Sequence, residues 1–400
     1  MKYNFDQRID RTDFNSTKWE GYSVNFPGLD TEGALPMWIA DTEFLSPPEV
    51  IDALKKRAEH GIFGYNSSKG GQKFLRALQS WIEKRYHWKV DEDWMVASPG
   101  VVPATNFAVQ ALTKPGDGII TFTPIYDPIT IAIENNEREN RTVPLIETDG
   151  YYTIDFEKLE KTAQDPSTTM LILCSPHNPV GRVWTEDELK RIAVICAKND
   201  VIVFSDEIHA DLVFEGSHHP MGAAAEGTGL KCVCAYAAGK TFNLASLNTA
   251  AVVIPNPEVR ELFRKQLGRN GLNVPPGAFG AVGSEAAYLY GEPYLEELLV
   301  YLRGNIDYAF DFIQEKLPGV KMRKPEGTYL AWIDFRGLGL SCEETDRFVL
   351  EKAKVVFDPG WWFGKEGSCF MRMNLACPRS MLEEGLERLQ RALDALIQEG

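Results

Sequence analysis

Four short segments concentrate residue types that can do chemistry, and each follows a run of apolar residues. Tyr236-Ala237-Ala238-Gly239-Lys240-Thr241-Phe242-Asn243 sets a lysine just beyond the apolar run 232–236. At a partly buried strand end a lysine loses solvation of its charged form, so its amine can be neutral and attack a carbonyl to form an imine. Val201-Ile202-Val203-Phe204-Ser205-Asp206-Glu207-Ile208-His209 ends another apolar run in two carboxylates and an imidazole. In Cys174-Ser175-Pro176-His177-Asn178-Pro179-Val180-Gly181 two prolines fix an extended loop and leave Asn178 projecting from it. Ser98-Pro99-Gly100-Val101-Val102-Pro103 joins a strand to a helix. There Gly100 permits close backbone approach, and the free amides of the helix start suit a phosphate.

The elements that must position these loops follow from the same apolar runs. Met95–Ala97, Gly118–Phe122, Thr169–Cys174, Val201–Ser205, Lys231–Tyr236 and Ala250–Ile254 are predicted strands. Amphipathic stretches separate several of them. One is Thr185–Lys198, which opens with Thr185 and has Glu188 three residues on, the pattern of a capping box. Alternating strands and helices imply an α/β fold with a mostly parallel sheet flanked by helices, whose ligand sits off the carboxyl ends of the strands. After about residue 290 the pattern changes to a long helix over Pro293–Leu317, strands around Tyr329–Phe335 and Phe370–Asn374, and a helix from Ser380 to Ile397. The expected organisation is a large domain over 46–290 and a smaller α+β domain over 291–400. Residues 1–45 lack a core of their own and are expected to pack with the small domain.

A net charge of -15 argues against nucleic acid, which needs a basic surface. The N-terminal Met1–Arg8 has no apolar run of the signal-peptide kind, and no stretch approaches the roughly 20 apolar residues of a membrane helix. The seven cysteines are odd in number and scattered, and Cys232-Val233-Cys234 alternates on a predicted strand, where the two thiols are expected to point to opposite faces and make a poor zinc site. Buried thiols in a reducing cytoplasm are the expectation. Asp206, Glu207, His209, Asp211, His218 and His219 crowd one segment, as in a divalent-metal hydrolase. That alternative lacks a second cluster at a distant strand end and leaves Lys240 without a role, so no metal is expected.

Together the four loops resemble the pyridoxal 5′-phosphate (PLP)-dependent aminotransferase superfamily of the aspartate aminotransferase fold, and within it the cystathionine β-lyase branch of MalY/PatB-type C–S lyases. The resemblance extends through Pro36-Met37-Trp38-Ile39-Ala40-Asp41, Phe63-Gly64-Tyr65, Arg182-Val183-Trp184, Lys240-Thr241-Phe242-Asn243-Leu244-Ala245, Met371-Arg372-Met373-Asn374 and Cys377-Pro378-Arg379-Ser380. It implies that Lys240 holds PLP as an imine and moves the Cα proton, and that Asp206 keeps the pyridine nitrogen protonated. By the same resemblance Asn178 and His209 lie near the phenolic oxygen, Tyr126 stacks on the ring, and Gly100, Val101 and Val102 offer amides to the phosphate. Tyr65 reaches that phosphate from a neighbouring subunit, implying a homodimer with shared sites. Arg372 binds the substrate α-carboxylate, and the backbone at Ala40 closes over it.

Several positions depart from the family pattern. Ala237 and Gly239 stand where relatives often carry serine, and Asn248 where many aminotransferases carry arginine. Asp41-Thr42-Glu43-Phe44 replaces Asp-Met-Asp-Phe, and Trp361-Trp362 replaces small residues after Pro359-Gly360. The two tryptophans follow a predicted turn, Asp358-Pro359-Gly360, in an irregular segment where two adjacent indoles can hardly both point inward, so one is expected to face the cleft and disfavour a long polar substrate arm such as that of cystathionine. The implied activity is β-elimination from a cystathionine-like thioether to a thiol, pyruvate and ammonia. An aminotransferase using the same residues is the alternative, and His209 and Asn248 favour the lyase. A regulatory or scaffold protein would be expected to lose Lys240 or Asp206, and both are present, which leaves such a role only as an addition.

Overall fold

The computed structural model describes residues 2–272 and 276–399. The six apolar runs all become strands, and a seventh joins them: β1 (Met95–Ser98), β2 (Gly118–Thr123), β3 (Glu139–Pro144), β4 (Thr168–Cys174), β5 (Ile202–Asp206), β6 (Cys232–Tyr236) and β7 (Ala250–Val253). They form one sheet in the order β1-β7-β6-β5-β4-β2-β3. Only β7 runs against its neighbours; the remaining pairs are parallel. β3 escapes the apolar pattern because it is an edge strand, mostly half-exposed or exposed.

Side-chain alternation feeds two cores. Ile119, Met170, Ile172, Phe204, Val233 and Val252 face one way, onto Val101, Ala104 and Ala108 of helix α1 (Val101–Leu112). Ile120, Phe122, Leu171, Leu173 and Val203 face the other, onto Leu189 and Ile192 of helix α2 (Glu186–Lys198). Period-two strands buried on both faces explain why these runs are continuously apolar. The capping box forms: Thr185 Oγ1 accepts from the Glu188 N–H at 3.2 Å, and Glu188 Oε2 accepts from the Thr185 N–H at 2.8 Å.

A second, antiparallel sheet comprises β8 (Lys321–Met322), β9 (Leu330–Asp334), β10 (Asp358–Pro359) and β11 (Phe370–Asn374), in the order β8-β9-β11-β10. Helices α3 (Glu292–Lys316) and α4 (Arg379–Glu399) pack on each other beside it. From the N-terminal segment, Leu35–Pro36 pairs in parallel with Val355–Val356, and Tyr3 and Phe5 meet Tyr294 of α3 edge-on.

Three sequence expectations are corrected. Asp358-Pro359, expected as a turn, is a strand, because β11 offers it an unpaired edge. Cys342 and Cys369 are bonded to each other, with Cα atoms 4.6 Å apart, while the other five cysteines are free and buried. Cys232 and Cys234 lie two residues apart, so they share one face of β6, in the core that includes Phe122 and Leu171. Among the described residues no helix is long and apolar enough to cross a membrane.

Candidate active site

The carboxyl ends of β1, β4, β5 and β6 meet along one edge of the large sheet, and antiparallel β7 brings its amino end to the same edge. Off this edge lies a cleft of about 210 Å³. Ala40, Gly100, Val101, Val102, Tyr126, Asn178, Asp206, His209 and Lys240 all border it. Residues scattered over 200 positions converge because they end strands or lie in the loops and the helix start just beyond them.

Lys240 is half-buried, and its Nζ donates to the Ala40 carbonyl at 2.5 Å. The same carbonyl accepts from the Tyr329 hydroxyl at 3.0 Å. Burial, assisted by the Arg372 charge and opposed by Asp41, Asp206 and Asp358, pushes the Lys240 amine down to about 8. A nucleophilic neutral amine is therefore available near neutral pH.

Asp206 ends β5 and is buried, and burial pushes its carboxyl up to about 6. Among the described residues only the Ile208 N–H donates to it, at 3.1 Å. A buried carboxylate so poorly supplied with donors calls for a cation. His209 is buried too, its ring edge-on to Tyr329. Burial holds the imidazole well below its usual range, hence neutral, and Nδ1 has no partner among the described residues.

At the start of α1, Gly100 adopts φ 138°, outside the range that side-chain-bearing residues favour, and no side chain caps the helix. The Val101 and Val102 amides are thus left to an anion, and Pro103 has no amide to offer. Tyr126 leads into the helix Asp127–Asn135 and is anchored by Ile125, whose N–H bonds the Phe363 carbonyl at 2.8 Å.

Arg372 is central in its sheet, directly opposite Trp332 on one side and Asp358 on the other. Its Nη1 donates to Asn178 Oδ1 at 2.9 Å, its Nε to Asp358 Oδ2 at 2.9 Å, and its Nη2 to the same Asp358 oxygen. It stands behind Asn178, one hydrogen bond from the cleft wall. With Asn178 Oδ1 so occupied, the amide Nδ2 remains to donate into the cleft.

These features fit PLP. The orphaned Asp206 carboxylate suits a pyridinium, the Asn178 amide and neutral His209 suit a phenolic oxygen, and the α1 amides suit a phosphate. Ala237 and Gly239 are both on the cleft wall and offer no hydroxyl there, so a phosphate bound at this end would rest more on the helix amides.

Trp361 and Trp362 are not on the cleft. Gly360–Phe363 forms a 3₁₀ turn that sends Trp361 outward, 55% exposed, with Nε1 donating to Asp346 Oδ2 at 3.0 Å. Trp362 stacks on Phe26 with ring centres 5.3 Å apart. Both border a separate apolar pocket with Leu29 and Leu350. The proposed restriction against long substrate arms therefore loses its physical basis.

The carboxylates and imidazoles crowded after β5 diverge as well. His218 Nε2 pairs with Glu207 Oε2 at 2.9 Å, and Asp211 accepts from Trp81 Nε1 at 2.9 Å and Thr241 Oγ1 at 2.8 Å. Tyr65 is fully exposed and absent from the cleft of its own chain. Sequence reasoning missed Asp358, Tyr329, Leu244 and Thr249. Only Asp358 carried a signal, a lone acid ending the apolar run Val355-Val356-Phe357.

Comparison with known proteins agrees with this geometry. The family described as aminotransferase class I and II matches residues 39–389. Cystathionine beta-lyase PatB of Bacillus subtilis is 42% identical over 391 residues, covering 98% of this chain and 100% of the relative. Protein MalY of Escherichia coli is 34% identical over 397 residues, with coverage of 98% and 100%. The crystal structure of cystalysin from Treponema denticola, which contains pyridoxal 5′-phosphate, superposes with a TM-score of 0.93 at 39% identity, covering 99% of this chain and 100% of that one.

Proposed function

The chain belongs to the class I and II aminotransferase family, and we propose that within it the protein is a PLP-dependent C–S β-lyase that releases a thiol, pyruvate and ammonia from cystathionine or a related S-substituted cysteine. The observation that carries the chemistry is the meeting of Lys240, its amine pushed down to about 8, with the donor-poor Asp206 carboxylate in one cleft. The choice of lyase follows the relatives, among them the 42% identical cystathionine beta-lyase.

Bound there, PLP supplies an electron sink for negative charge at the substrate Cα. Lys240 would hold the cofactor, and its Nζ would take the Cα proton of the bound amino acid. The Ala40 carbonyl, which also accepts from the Tyr329 hydroxyl, keeps the amine at the cleft wall. Asp206, a buried carboxylate with one backbone donor, would keep the cofactor's ring nitrogen protonated. Arg372 and the backbone at Ala40 hold the α-carboxylate, which fixes the direction of the Cα–H bond relative to Nζ. A thiolate is a good leaving group at Cβ, and one water then completes the release of pyruvate and ammonia.

The homodimer and the cytoplasm belong to the same reading, the first from Tyr65 and the second from five buried free thiols. So does a division of the chain near residues 45 and 290. The site residues proposed are those bordering the cleft, with Arg372 behind Asn178 and Tyr65 from a partner subunit, and without Trp361 and Trp362.

Incubation of the pure protein with cystathionine should yield thiol, pyruvate and ammonia in equal amounts. A parallel reaction of an amino acid with 2-oxoglutarate should give little glutamate. Glutamate without thiol release would establish the aminotransferase instead.

A further inference from the structure

The guanidinium of Arg372 has five N–H groups, and three are already used. Nε and one Nη2 proton go to Asp358 Oδ2, and one Nη1 proton goes to Asn178 Oδ1. Two remain, one on each terminal nitrogen, and the end-on edge of the fork runs between those two nitrogens. That edge matches the spacing of the two oxygens of a carboxylate. Asp358 and Arg372 are both buried, 3% and 4% exposed, and face each other across adjacent strands in the register Asp358↔Arg372. The guanidinium also lies over the Phe363 ring, 4.8 Å from its centre. The fork is therefore held on its side edge, on one tip and on its face.

Given Arg372 as the substrate-carboxylate site, on which this rests, we propose that Asp358 is the residue that aims it. By occupying the side edge, Asp358 leaves the end-on edge as the only one a substrate carboxylate can use, and it anchors that edge to the small sheet. Asp358 is a positioning residue: it acts on the substrate through Arg372. It also sets the charge of the site. The buried guanidinium carries a counter-ion before substrate arrives, so an incoming carboxylate meets a held fork and a local negative charge.

Orientation and charge can be separated. Asp358→Asn keeps an oxygen for Nε and Nη2 but removes the charge; Asp358→Ala removes both. The readout is the ratio of kcat/KM for S-methylcysteine to that for its carboxamide, which lacks the anionic carboxylate. It is supported by calorimetric binding of propionate to the loaded enzyme. In the parent enzyme the acid should be strongly preferred, and Arg372→Lys should abolish the preference. Asp358→Ala should lower the ratio about 10- to 100-fold through misplacement of the fork, with the carboxamide rate little changed. Asp358→Asn should keep the ratio at or above the parent value and bind propionate at least as tightly.

A ratio unchanged in Asp358→Ala would overturn the assignment. So would an equal fall in both variants, which would make charge rather than aim the cause, or parallel loss of acid and carboxamide turnover, which would make Asp358 merely structural. A parent enzyme without acid preference would refute Arg372 as the carboxylate site itself, a distinct failure. Melting temperatures identify a poorly folded alanine variant, and in that case the asparagine variant decides: loss of its acid preference overturns the proposal.

Discussion

Asp206→Asn is expected to stabilise the cofactor-free protein at neutral pH while making the loaded enzyme roughly 100- to 1000-fold slower, the range for removing one preorganised charge partner. The sign follows from linkage. An unfolded aspartate ionises near 3.8, but burial holds the native Asp206 proton until about 6. As pH rises through that window the native state loses stability relative to the unfolded chain. Two units correspond to at most about 3 kcal/mol, and the imperfectly bonded asparagine amide returns part of it, leaving about 2 kcal/mol. Urea unfolding of both proteins without cofactor should show this gain near pH 7.5 and little of it near pH 4. A gain equal at both pH values, or none, would mean that Asp206 is not held as an uncompensated carboxylate. The combination of greater stability and lost activity marks a residue kept for function.

Mixing two inactive variants, Tyr65→Ala and Lys240→Ala, should restore activity once subunits exchange. Tyr65 is fully exposed beside exposed Ile62 and Phe63, an apolar patch of the kind that marks a protein interface. If it completes the phosphate site of a partner, a hybrid dimer has one site with both native residues. Random pairing of equal amounts then gives about a quarter of the parent activity, because half the dimers are hybrids with one good site of two. Exchange shown by mass spectrometry without any recovery would place each site within a single chain.

What could be foreseen from the sequence divides along the range of the interaction. Asp206 ends an apolar run and Lys240, Asn178 and Gly100 lie just beyond others, and a parallel sheet gathers such ends at one edge, so the cleft was legible before the fold was known. β7 was foreseen as a strand, but its antiparallel direction, which brings Asn248 and Thr249 to the same edge, was not. Directions of that kind depend on connections that no local pattern encodes. Asp358 becomes meaningful only through the register that sets it opposite Arg372, 14 residues away. The Cys342–Cys369 bond closes over a separation of 27 residues that nothing in cysteine spacing singles out. Trp361 and Trp362 show the converse error. Their irregular setting was read correctly as excluding two inward-facing indoles, but the spare indole turned to solvent and Asp346 rather than to the cleft.

The most direct measurement concerns Lys240 itself. The protein loaded with pyridoxal 5′-phosphate should be reduced with borohydride, which turns an imine into a stable amine, then digested and mapped by mass spectrometry. The cofactor mass should lie on the peptide carrying Lys240 and on no other, and Lys240→Ala should remain unlabelled and inactive. A label on a different lysine, or a Lys240→Ala protein that still turns over cystathionine, would contradict the assignment on which the mechanism stands.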